Sequence, residues 1–135
     1  MEIASYPDLL RAARNQPQAQ RLLFVFAAAE LPEQHTAGQL RRFESREGGT
    51  LAPVMCVDKL PDELDDFAAL VAESDKTGQR WDIVFVASLS GNGGAAPASD
   101  AAEQSLKKMV NAIHQGMVSK FLAFNRSGEI VSFTE

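Results

Sequence analysis

Hydrophobic positions along the chain alternate between two periods, one near 3.6 and one extended. Ser5-Tyr6-Pro7-Asp8 reads as a helix start, with Ser5 placed to accept from the Asp8 N–H and Asp8 favoured at the positive helix end. Leu9, Leu10 and Ala13 then share one face of a short helix that Pro17 stops. The run 22–29, Leu-Leu-Phe-Val-Phe-Ala-Ala-Ala, is continuously apolar and predicts a strand covered on both faces. Pro32 suits a first helical turn, and Leu40 and Phe43 give that helix a thin apolar face before Gly48-Gly49 breaks the chain. Residues 51–58 predict a second strand with Pro53 near its start. Leu60, Leu64, Phe67 and Val71 follow helical spacing and predict a third helix ending near Gly78.

Residues 81–89 predict the third strand, centred on Ile83, Val84, Phe85 and Val86. A loop of small residues follows, and Asp100 with Glu103 three positions later marks another helix start. Leu106, Met109, Val110 and Ile113 form the stripe of that helix, and Gly116 suits its C-terminal cap. Residues 121–124 and 130–133 flank Asn125-Arg126-Ser127-Gly128, a hairpin signal with Gly128 at the left-handed position. The alternation predicts one α/β domain over residues 1–135. Its sheet is expected to be mixed and mostly parallel, with about five strands, about four flanking helices and a C-terminal β-hairpin.

Composition narrows the function classes. Thirteen Lys and Arg against eighteen Asp and Glu leave a net charge of −5 in 135 residues, which argues against nucleic acid or an anionic membrane as partner. Hydrophobic residues at 45% and charged residues at 23% are globular values. A single cysteine rules out an internal disulfide and a cysteine-based zinc cluster. The N-terminus shows no basic segment followed by an apolar one, and the longest apolar run has eight residues. The expectation is a cytoplasmic protein without a membrane span.

Open parallel sheets bind ligands beyond the carboxyl ends of their strands. Here those ends carry Glu30, the pair Asp58 and Lys59, then Ser88, Ser90 and Asn92, and on the hairpin Asn125. If the first three strands run the same way, these groups meet at one rim; the plainer alternative is that they are strand ends meeting water. Gly91-Asn92-Gly93-Gly94-Ala95-Ala96 matches G-x-G-x-x-A after a strand, so its N–H groups could approach an anion. Pro97 and the start at Asp100 place the helix too late for a dinucleotide fold, and the loop lacks the lysine of a P-loop. Ser88-Leu89-Ser90 lacks the glycine that should precede a nucleophile-elbow serine. His35 and His114, the only histidines, are expected to be surface residues. No metal-ligand spacing exists, so neither metal nor cofactor is expected. Cys56, sharing a strand face with Val54 and Asp58, is expected to be a small buried hydrophobe.

Four segments resemble a family of small proteobacterial proteins. They are 22–32, Met55-Cys56-Val57-Asp58-Lys59, 81–87, and Met109-Val110 with Ile113. Some members of that family carry the label ribonucleotide reductase subunit alpha. The reductase chemistry so labelled needs a reducing cysteine pair, which one cysteine cannot supply, so this chain alone is not expected to perform it.

Three readings of function follow. The first is a module that binds a partner protein or a small ligand without catalysis. The second is a small enzyme or an anion- or phosphate-binding domain at the rim. There Glu30 or Asp58 would serve as general base and Lys59 as charge stabiliser, with Ser88, Ser90, Gly91, Asn92, Gly93 and Gly94 holding the ligand. The third is a homodimeric structural or accessory subunit that buries a patch around Trp81 or the hairpin edge.

Overall fold

A computed structural model of the protein describes residues 3–16, 19–30, 50–91, 97–118 and 121–131. In chain order these form α1 (Tyr6–Arg14), β1 (Gln20–Glu30), β2 (Thr50–Lys59), a 3-10 turn (Pro61–Glu63), α2 (Phe67–Asp75), β3 (Ile83–Ser90), α3 (Ser99–His114), β4 (Leu122–Asn125) and β5 (Ile130–Val131). The helix expected around Leu40 and Phe43 lies outside the described residues.

Local signals act where their chemistry predicts. The Asp8 N–H donates to Ser5 Oγ at 3.3 Å, and Asp8 Oδ2 accepts from the Ala4 N–H at 3.1 Å. At α2, Asp66 is the cap and accepts from the Ala69 N–H at 2.9 Å, so the helix begins after Leu60 and Leu64, which belong to the preceding turn. α3 begins at Ser99, one residue before the expected Asp100, which sits in its first turn. In the hairpin, Asn125 Oδ1 accepts from the Ser127 and Glu129 N–H groups at 2.9 and 3.0 Å. Gly128 adopts φ +82° there.

The mostly parallel sheet is not what forms. The five strands run in the order β2-β1-β3-β4-β5, and every adjacent pair is antiparallel. Three α-helices, not about four, stand among the described residues. β2 and β3 do run the same way, since each opposes β1, but β1 lies between them. The apolar run of β1 was a sound sign of cover on both faces, but such cover does not dictate direction. Helices on both faces of an antiparallel sheet bury a central strand equally well.

The two cores show this. On one face α1 and α2 cover Leu22, Phe24, Phe26, Val84, Val86 and Phe124. On the other, α3 sets Leu106, Met109 and Ile113 against Leu23, Val25 and Phe85. Trp81, expected near an exposed patch, is fully buried. Its Nε1 donates to Ser74 Oγ at 2.8 Å, Phe26 meets it edge-on at 5.1 Å, and the Arg126 guanidinium lies 4.6 Å over its ring. Arg126 is itself held by both carboxylate oxygens of Asp75, at 2.9 and 3.0 Å.

Cys56 also departs from expectation, because it is exposed. β2 is an edge strand, and its register against β1 shifts between Phe26 and Ala27: Met55 opposes Phe26 while Pro53 opposes Ala27. Val54 is the extra residue of this bulge and packs on the α1 and α2 face, opposite to Cys56. An edge position also tolerates Pro53, which has no N–H to give a ladder.

Candidate functional site

The antiparallel register takes the expected rim apart. Glu30 pairs with Thr50, whereas Asp58 pairs with Leu23 and Lys59 with Leu22. Seven strand positions, roughly 24 Å, separate Glu30 from the Asp58 level. Asn125 pairs with Ile83 at the start of β3, also remote from Ser88 and Ser90 at its end. Asp58 and Lys59 leave β2 on opposite faces, since the side chains of successive strand residues alternate. Lys59 Nζ binds Glu73 on α2 at 2.7 Å, and Asp58 Oδ2 accepts from Arg21 at 2.6 Å. A joint role for Glu30, Asp58 and Lys59 therefore has no geometric basis. Asn92, Gly93 and Gly94 lie outside the described residues, as does His35, while His114 is exposed at the end of α3.

One end of the sheet does gather polar groups: the start of β1 and the ends of β2 and β3. Gln20 pairs with Ser90, and the buried Gly91 donates its N–H to the Ala19 carbonyl at 2.8 Å, extending the ladder beyond the strand. Gln20 is 4% exposed, and its Nε2 donates to Ser90 Oγ at 2.9 Å. Ser88 lies two residues back on the same face. With Leu9, Ala13 and Gln16 of α1 and its C-terminal extension, these groups line an open hollow of about 230 Å³ whose described lining carries no charge. It offers hydroxyl and amide hydrogen bonds beside an apolar wall.

The opposite face of the same strand ends is closed by a clamp. Arg21 donates through Nη1 to Asp58 and through Nε, at 2.6 Å, to the Pro97 carbonyl, tying β1 to β2 and to the approach of α3. Gln20 and Arg21 were missed as site residues because the expected strand began at the apolar Leu22. The available signal was two polar residues directly preceding that run.

Tyr6 has a raised proton affinity. Its hydroxyl pKa is pushed up to about 12, first by burial and then by the negative charges of Asp66 and Glu73. No group of three His, Cys, Asp or Glu residues among the described residues could hold a metal ion. No helix among them is long and apolar enough to cross a membrane. Against this geometry, comparisons with protein-family models, curated proteins and solved structures returned no match.

Proposed function

We propose that the protein is a non-catalytic binding module whose ligand is small, uncharged and rich in hydrogen-bonding groups. The carrying observation is the buried Gln20 amide donating to the exposed Ser90 in an open, uncharged hollow, with Ser88, also exposed, on the same face. Ser90 Oγ accepts from Gln20, so its own hydrogen can donate outward. The hollow's surface is polar and apolar in similar measure, which suits a ligand carrying several hydrogen-bonding groups. The hollow's volume suits a compound of few heavy atoms, such as a short polyol or a simple amide. An anion would find no cation in the described lining, because Arg21 is committed to Asp58 and Lys59 to Glu73.

A thermal-shift panel of short polyols, monosaccharides and amides, run beside dicarboxylates and sugar phosphates, tests this reading. A ligand at a hundred times its Kd stabilises the fold by about 2.7 kcal/mol. The neutral set is expected to raise Tm, and Ser88→Ala with Ser90→Ala is expected to abolish the rise. A response to the anions alone would refute the reading and return the second function class to favour.

The β2 edge favours a second reading, pairing with another copy of the chain. Among the described residues no strand lies on the outer side of β2. Pro53 and the bulge at Val54 interrupt its first half, which leaves Met55 to Lys59 as regular edge. Light scattering over a wide concentration range decides this: a strictly monomeric protein removes the reading.

A further inference from the structure

The other flank of α1 carries a larger cleft, of about 450 Å³, separate from the Gln20 hollow. One wall is cationic: Arg11 and Arg14, three residues apart, stand on the same side of the helix. The facing wall is anionic, Asp65 and Asp66 from the segment that leads into α2. Tyr6, Pro7 and Leu10 add apolar surface.

The charged groups are unevenly used. Arg14 Nη2 donates to the Pro61 carbonyl at 3.2 Å and approaches that of Leu64 at 3.5 Å, which holds the guanidinium in place. Its Nε and Nη1 have no partner among the described residues. Arg11 reaches Asp8 at 3.3 Å across largely exposed surface, a weak tie. Asp66 spends one oxygen on the α2 cap, while Asp65 is exposed and has no partner among the described residues. Behind them, the buried Tyr6 hydroxyl also has no hydrogen-bond partner among the described residues.

Two arginines and two aspartates line the cleft and Asp8 stands beside Arg11, so no net positive charge is left to draw a simple anion. A simple cation meets the two arginines. A molecule carrying both charges a few bonds apart satisfies both walls together. We propose that this cleft binds a free α-amino acid with an aliphatic side chain. Its carboxylate faces Arg11 and Arg14, its ammonium faces Asp65, and its side chain rests on Pro7 and Leu10.

Amide chemical-shift titration of the full chain tests this with three probes: L-leucine, N-acetyl-L-leucine, which lacks the ammonium, and L-leucinamide, which lacks the carboxylate. L-leucine is expected to shift amides of α1 and 64–67 saturably. Each analogue is expected to bind about tenfold more weakly or worse, since a charge-assisted hydrogen bond is lost. Asp65→Asn and Arg11→Gln, both at exposed positions, are expected to weaken leucine similarly with Tm unchanged. Equal binding of the three probes, no shift at about 20 mM leucine (a Kd too weak to matter), or full binding by both variants would overturn the proposal. Shifts confined to 88–91 would do so too, by assigning the ligand to the other hollow.

Discussion

Replacing Ser74 by Ala tests the buried hydrogen bond that ties the one tryptophan into the core. Ser74 Oγ accepts from Trp81 Nε1 at 2.8 Å and donates to the Val71 carbonyl at 2.7 Å, and both side chains are buried. Removing the hydroxyl leaves the indole N–H buried without an acceptor, a penalty of about 1–3 kcal/mol. The Val71 carbonyl loses only an extra bond, because it stays within α2. For a domain of this size, each kcal/mol lowers Tm by about 4 °C, so the expected fall is roughly 4–12 °C. Urea unfolding followed by fluorescence reads the change directly, since Trp81 is the only tryptophan. A double-mutant cycle isolates the bond. In a Trp81→Phe background, followed by circular dichroism, Ser74→Ala should be nearly silent, at about 0.5 kcal/mol or less. An equal loss in both backgrounds would show that the hydroxyl matters for some reason other than the indole. A native emission maximum typical of water-exposed indole would refute the burial itself.

Other outcomes follow from the same contacts. Arg21→Ala strips partners from Asp58 and the Pro97 carbonyl and should lower stability by about 1–3 kcal/mol in chemical denaturation; an unchanged midpoint would discount the clamp. Gly128→Ala must adopt φ +82° with its Cβ about 3.2 Å from the Phe67 ring, so it should destabilise by at least about 1 kcal/mol. Stabilisation by that substitution would contradict the hairpin geometry. Cys56 should react with a thiol reagent in the native state at nearly the unfolded rate; protection until unfolding would place it back in the core. Tyr6 is the one tyrosine, so ultraviolet titration of the phenolate reports it alone. With the folded pKa raised from 10.0 to about 12, its stabilising contribution is complete below pH 10 and is lost as pH rises from there towards 12. A native titration near the ordinary value would refute that burial.

What the chain determines by itself is local. The Ser5 cap, the α3 stripe of Leu106, Met109 and Ile113, the continuous apolar run of β1 and the left-handed Gly128 are all written within a few residues of each other. Strand direction does not, because a strand has a period of two whichever way its neighbour runs. The expected rim rested on that undetermined choice. β1 opposes both β2 and β3, so Glu30 lies at the far end from Asp58, while Gln20 and Arg21 come beside Ser90 and Asp58. The bulge at Val54 turns Cys56 away from the Val54 face, and packing of α2 against β1 sinks Trp81 beneath Arg126. These outcomes join residues dozens of positions apart. Tertiary structure decided them because pairing and burial energies are summed over contacts that no local window contains.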